Sequence, residues 1–291
     1  MSETTRTESE LTPSQLAWRR FRSHKLAMIG SAVLLLFLLV SFLGPLLYSV
    51  DPYAVDTAYY RLPPGPGHPL GTDSAGRDVL ARLLHGGRLS LTIGLTAALL
   101  ATVLGVLLGI VAGYFRGWID SVLTRIAEVF QSFPILIVII VVVAIFGSGV
   151  LMIIVMLGCL TWTQAYRVTR GVTMQLREQD SVQAVEGLGG TPVHILLRHM
   201  LPAVLPHASV TFTLLTATVI GTEAALSFLG LGVPPPTPSW GSMISEAQSL
   251  RILKSMPWMW LPPGAAIALT VLAVNFVGDG LRDAVDPRQV R

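Results

Sequence analysis

The stretch LSLTIGLTAALLATVLGVLLGIVAG, Leu89 to Gly113, contains no charged residue, and none lies between Arg88 and Arg116. A hydrocarbon core about 30 Å thick is crossed by roughly 20 apolar residues of helix, so this run is long enough to span a bilayer. Leu26 to Leu47 repeats the pattern, with no charge between Lys25 and Asp51. Ile119 to Val168 has room for two more spans, divided by Pro134 and the Gly147-Ser148-Gly149 turn, with Asp120, Arg125 and Glu128 interrupting near its start and Arg167 at its end. A fifth run extends from about Ala203 to Leu229 and a sixth from about Met259 to Gly278. One such run can be a buried helix of a soluble core. Six in one chain predict an all-α integral membrane protein with about six transmembrane helices.

Composition agrees. Of 291 residues, 52% are hydrophobic and 13% charged, where a soluble domain carries roughly a quarter charged residues. A net charge of +3 gives no argument for nucleic acid. The single cysteine, Cys159, has no disulfide partner and is not a zinc site, and no metal site is expected. The polar start and the long apolar run after it do not read as a cleavable signal. Met1 to about Ala17 reads as a disordered tail, and Trp18 to Lys25 (WRRFRSHK) as a basic juxtamembrane anchor.

The bias of Lys and Arg between loops sets the orientation. With the N-terminus in the cytoplasm, the outer loops Asp51 to Arg88 and Gly230 to Trp258 hold only Arg61, Arg77, Arg82, Arg88, Arg251 and Lys254 of the 20 basic residues. The C-terminus is then cytoplasmic as well. Trp118, Trp258 and Trp260 fall at span ends, where amphipathic rings are favoured.

Two loops carry their own structure. In TDSAGRDVLARLL, Asp73 or Ser74 is expected to cap an amphipathic helix on the outer surface, with Asp78 paired to Arg82 at i,i+4. In EQDSVQAVEGLGGTPVHILLRHMLP, Glu178 to Pro202, Asp180 and Gln183 have the spacing of a capping box. Gly189 or Gly190 can end that helix in a left-handed conformation. Thr191 then caps a second helix with Pro192 at its first position, continuing through Ile195, Leu196 and His199 to Pro202. Small residues, Ala184, Gly187 and Gly189, line the first helix and suit it to a groove on a partner; the alternative is a plain connector.

Other polar groups have two readings. Glu223, near the outer end of the fifth span, can face a pathway, support its outer gate, or pair with a partner subunit; a carboxylate there is costly unless paired or wet. Asn275 and Asp279 read as packing and capping groups, and Gly105, Gly109 and Gly113 as a close-packing face. An enzyme is disfavoured. His194 and His199 are five apart, no H-E-x-x-H occurs, and no nucleophile elbow is present. A secondary transporter would need acidic coupling-ion groups at mid-membrane, and the spans offer little beyond Glu223.

From Ser23 to Arg288 the sequence resembles the permeases of binding-protein-dependent ABC importers, specifically the second permease of dipeptide and oligopeptide systems. Gln183-Ala184-Val185, Gly189 and Leu201-Pro202 match the cytoplasmic signature of that family, with Gln183 in place of the usual Glu and Val185 in place of the second Ala. LGTDSAGRDVLARLLHGGRLSL (Leu70 to Leu91), GYFRGWIDSVLTRIAEVFQSFP (Gly113 to Pro134), EAALSFLGLGVPPPTPSWGSMI (Glu223 to Ile244) and NFVGDGLRDAVDPR (Asn275 to Arg288) resemble further family blocks, in order.

The resemblance implies a type I importer permease fold in a bacterial inner membrane. It divides the chain into a tail (1–25), a first span with its extracytoplasmic loop (26–87) and a permease core (88–291). It implies a homologous second permease, two cytoplasmic ATPase domains, an extracytoplasmic binding protein, and a peptide as solute, with nickel and glutathione as the subgroup's alternatives. It also implies a coupling helix that docks on the ATPase, comprising Gln183, Ala184, Val185, Glu186, Gly187, Leu188 and Gly189, with His199, Leu201 and Pro202 completing the signature. No G-x-x-x-x-G-K-[ST] run occurs, so the chain is expected to bind no cofactor, with ATP and Mg on the partner subunits.

Overall fold

A computed structural model describes residues 13–285. Among them the chain is helical, with only two isolated bridges in the first outer loop. The helices are α1 (Pro13–Ser23), α2 (Lys25–Leu47), α3 (Val79–Phe115), α4 (Gly117–Ser132), α5 (Ile135–Phe146), α6 (Val150–Arg177), α7 (Asp180–Gly187), α8 (Pro192–Phe228), α9 (Trp240–Glu246), α10 (Leu250–Ser255) and α11 (Pro257–Val285). Five of them are long and apolar enough to cross a membrane, and α4 with α5 makes a sixth candidate bent by 82°. The bend falls where the sequence divides its spans. Pro134 has no N–H to continue the ladder, and it holds Phe133 extended, at φ −103 and ψ 135.

The core is the seam between α3 and α6. A Cβ on Gly105, Gly109 or Gly113 would come within 2.6–2.8 Å of the carbonyl oxygens of Trp162, Tyr166 and Arg170 in turn. Three glycines four residues apart let two long helices meet backbone to backbone. Ile93, Ala97, Ala98 and Ala101 extend the seam outward, and Leu215 and Val219 bring α8 into it. α2 stands at the periphery: 17% of its apolar window is buried, against 50% for α3 and α6. α1 folds back beneath it, with Phe21 and Ala17 against Leu281 and Ala284 of α11.

Several expectations are corrected. The tail expected to Ala17 is helical from Pro13, and residues 1–12 lie outside the described residues. The outer-surface helix is not separate: it is the first turns of α3, which runs unbroken through Gly86 and Gly87, the two glycines that let Ser239 and Trp240 pack closely against it. Its cap is Asp78, whose Oδ1 accepts from the Ala81 N–H at 2.7 Å, not Asp73 or Ser74. The second cytoplasmic helix does not stop at Pro202. It runs into the fifth span through a π-helical segment, Leu196–Met200, which supplies an i→i+5 bond from Leu201 N–H to the Leu196 carbonyl just before the proline. Among the described residues Asp279 caps nothing; it is exposed within α11, which continues to Val285.

Candidate coupling helix and outer gate

At the cytoplasmic end, α6 closes with a turn in which Glu178 N–H donates to the Gln175 carbonyl. That turn makes Gln179 the N-cap of α7, with no side-chain capping bond, and places Asp180 inside the first turn. The expected capping box is therefore absent; the Asp180 carboxylate instead sits at the positive end of the helix. Gln183 Nε2 donates a long bond to the Glu178 carbonyl at 3.4 Å. The helix ends as the sequence predicts. Gly189 has φ +85, its N–H donates to Glu186, and Gly190 N–H donates to Val185 at 2.9 Å, the paired bonds of a Schellman motif. Thr191 then caps α8 by accepting from His194 N–H, with Pro192 at the first position.

α7 stands off the bundle. Val182 is its one buried residue, and Val185 is half-buried beside it. Both join a cluster with Tyr114, Ile195, Met200, Val204 and Leu201. Gln183, Ala184, Glu186, Gly187 and Gly189 are exposed, and Leu188 is 89% exposed at the tip. The structure thus gathers Gln183 to Gly189 on one projecting element. Leu201 packs into its footing, Pro202 is exposed, and His199 lies against His194 with ring centroids 5.8 Å apart. The base is strapped to the α3–α4 corner. Arg116 pairs with Glu178 at 2.6 Å and donates to the Met174 carbonyl, while Arg177 donates to the Tyr114 carbonyl and covers the Tyr114 ring. Among the described residues no group of three or more His, Cys, Asp or Glu is placed to hold a metal.

At the outer end, Glu223 is 1% exposed. One carboxylate oxygen accepts from Ser90 Oγ at 3.1 Å on α3, the other from Ser227 Oγ at 2.7 Å one turn along α8. Ser239 Oγ donates to Ser227 Oγ, and Trp240 N–H donates to Ser90 Oγ, so α9 is tied into the same group. Trp240, itself buried, donates its indole N–H to the Leu83 carbonyl at 3.1 Å. Glu223 therefore has its partners inside this chain, at the junction of three helices.

Above it, an ion-pair group that local sequence reasoning missed fixes the first outer loop. Arg82 does not pair with Asp78. It reaches Glu246 at 2.7 Å and Asp73 at 3.3 Å, and Arg77 joins the same two carboxylates at 2.7 Å each. Asp78 is taken by Tyr48 Oη at 3.0 Å and His68 Nδ1 at 2.8 Å. Burial, and then Asp78, push the Tyr48 phenol up to about 12. The only sequence signal for this group is the density of charge in the loop; Glu246 lies far along the chain, and only the approach of α9 reveals it.

Comparison with known proteins agrees with this architecture. Residues 105–291 match the family described as the binding-protein-dependent transport system inner membrane component. Residues 12–64 match the family described as the N-terminal TM domain of oligopeptide transport permease C. A Brucella suis biovar 1 protein named, provisionally, as a peptide permease is 39% identical over 276 residues, covering 95% of this chain and 91% of its own. A similarly named Brucella ovis protein gives the same figures. A glutathione transport system permease of Escherichia coli O6:K15:H31 is 39% identical over 281 residues, with 95% and 91% covered. The multi-pass apolar bundle and these matches show that the chain belongs to the binding-protein-dependent inner membrane components, the membrane permeases of ABC importers.

Proposed function

We propose that this chain forms half of an ATP-driven import pathway for peptides and that α7 couples it to an ATPase. The observation that carries the coupling role is the form of α7: eight residues held by Val182 and Val185, presenting Ala184, Gly187 and a nearly bare Leu188 away from the bundle. An apolar tip with small neighbours gains by entering a cleft on another protein. The footing ties α7 to α3, α6 and α8, so a displacement imposed on it reaches the long spans as a rigid-body movement.

In this reading a homologous permease supplies the other half of the pathway. Two ATPase domains bind ATP and Mg in the cytoplasm, where both termini of this chain also lie, and an extracytoplasmic binding protein delivers the solute. Gln183 is exposed, and among the described residues its side chain bonds only to the Glu178 carbonyl, so its amide is available to the partner where the family's usual Glu would stand. The names of the relatives support a peptide as solute. Glutathione is the second reading, favoured by the Escherichia coli relative.

The test is uptake of labelled short peptides in cells lacking this gene and in cells with it restored, with glutathione and nickel in parallel. A peptide defect repaired by the intact gene is the expected result. Unchanged peptide uptake in the absence of a redundant system would remove the peptide assignment, and a defect confined to glutathione or nickel would replace it.

A further inference from the structure

α8 and α11 touch at Gly278, where a Cβ would meet Thr213 Oγ1 at 2.7 Å, and they separate below it. The gap is a cavity of about 440 Å³ lined by His207, Thr211 and Leu214 of α8, Val168 of α6, and Arg282 and Val285 of α11. Arg282 forms no ion pair among the described residues, and the neighbouring Asp283 is engaged by His24 at 3.5 Å. Among the described residues, His207 Nδ1 is buried without a hydrogen-bond partner. Asp279 is exposed one turn above Arg282 but does not line the cavity. The Arg282 cation and the His207 ring thus line one mostly apolar recess.

The same faces continue into the membrane, where side chains four apart on a helix stack along one side. One turn outward from Val168 is Gln164, exposed. One turn outward from Leu214 is Thr218, exposed, followed by Thr222, partly exposed, and Gly221, with nothing within 4 Å of its Cβ position. Each threonine hydroxyl donates to its own helix, at 3.0 and 2.8 Å, and keeps its lone pairs free. α2 differs: every exposed residue from Leu26 to Leu47 is apolar, as a lipid-facing helix requires. Exposed polar groups at membrane depth belong against water or protein.

We infer that the Gln164–Thr218–Thr222 stripe is this chain's wall of the translocation pathway, and that the Arg282–His207 cavity at its cytoplasmic end receives a carboxylate of the solute. The inference rests on the import reading above. A planar guanidinium matches a carboxylate through two parallel N–H bonds, and the recess has room for the end of a short peptide.

The test uses the assembled importer in nanodiscs, in a Cys159→Ser background. Leu214→Cys, Thr218→Cys and, on α2, Leu36→Cys are exposed to membrane-impermeant thiol reagents of equal size and opposite charge. The expected result is modification of Leu214→Cys and Thr218→Cys but not of Leu36→Cys. The anionic reagent should be preferred several-fold at Leu214→Cys, a preference that Arg282→Gln abolishes and Arg282→Lys retains. A free-acid dipeptide should slow that reaction, and its C-terminal amide should not. An unreactive Thr218→Cys would overturn the pathway wall, placing the stripe against lipid or the second permease. A charge preference indifferent to Arg282→Gln, or equal protection by acid and amide, would overturn the carboxylate site. Failure of the import reading looks different: the unsubstituted complex would import no peptide while the reagent pattern stayed intact.

Discussion

Gly109 and Gly187 are the same residue put to opposite uses. In the middle of α3, a Cβ on Gly109 would meet the Tyr166 carbonyl at 2.8 Å and Arg170 N at 3.0 Å; at the end of α7, a Cβ on Gly187 would meet nothing within 4 Å. The first glycine makes a rigid seam between two spans, and the second leaves a small-faced helix open to a partner. A permease that transmits a cytoplasmic movement needs both: spans that do not deform against each other, and a projecting element whose surface is uncovered.

Substitutions sharpen the contrast. Gly109→Leu should have the largest effect, at least the roughly 1–3 kcal/mol of an overpacked core, because the obstructing atoms are backbone. Loss of folded complex in a thermal solubility assay checks it, and unchanged yield would break the seam account. Glu223→Ala removes the acceptor shared by Ser90 and Ser227, and leaving buried hydroxyls unpaired should cost about 1–3 kcal/mol; a Tm fall with Glu223→Ala and a smaller one with Glu223→Gln is the expected pair.

Tyr48→Phe should cost about 1 kcal/mol by deleting the bond to Asp78. Its pH dependence has a fixed sign. The phenol is raised from 10.0 to about 12 in the fold, so the folded state favours the protonated form. That contribution is fully present below pH 10 and is lost as pH rises towards 12. The Tyr48→Phe variant should therefore lose less stability than the unsubstituted chain between those pH values in an alkaline unfolding series. Gly187→Ala should have the smallest effect, within about 1 kcal/mol and on the stabilising side, since alanine has the better helix propensity and the space is open.

The spans were legible because an apolar run long enough to cross a bilayer is a property of contiguous sequence. The same holds for the Gly189 stop, the Thr191-Pro192 start and the packing role of Gly105, Gly109 and Gly113, each set by residues within one or two turns. What failed was set from outside the segment. Asp180 lost its cap position because the turn leaving α6 fixes where α7 begins. Arg82 passed over Asp78, which Tyr48 and His68 occupy, for a carboxylate on α9. The amphipathic outer segment became part of α3 although Gly86 and Gly87 lie between it and the span, because Ser41, Ser239 and Trp240, all remote in sequence, pack against those glycines. Glu223 was recognised as a residue needing a partner, but Ser90 is remote in sequence and only the packing of α3 against α8 supplies it.

The most direct test of the account is Ala184→Arg in the reconstituted importer, with solute uptake and ATP hydrolysis measured together. Ala184 is exposed on α7, and a surface substitution there should leave folding within about 0.5 kcal/mol. The predicted result is a subunit that inserts and remains folded, with uptake abolished and ATP hydrolysis no longer stimulated by the loaded binding protein. Normal uptake with normal stimulation would contradict the assignment of α7 as the coupling element.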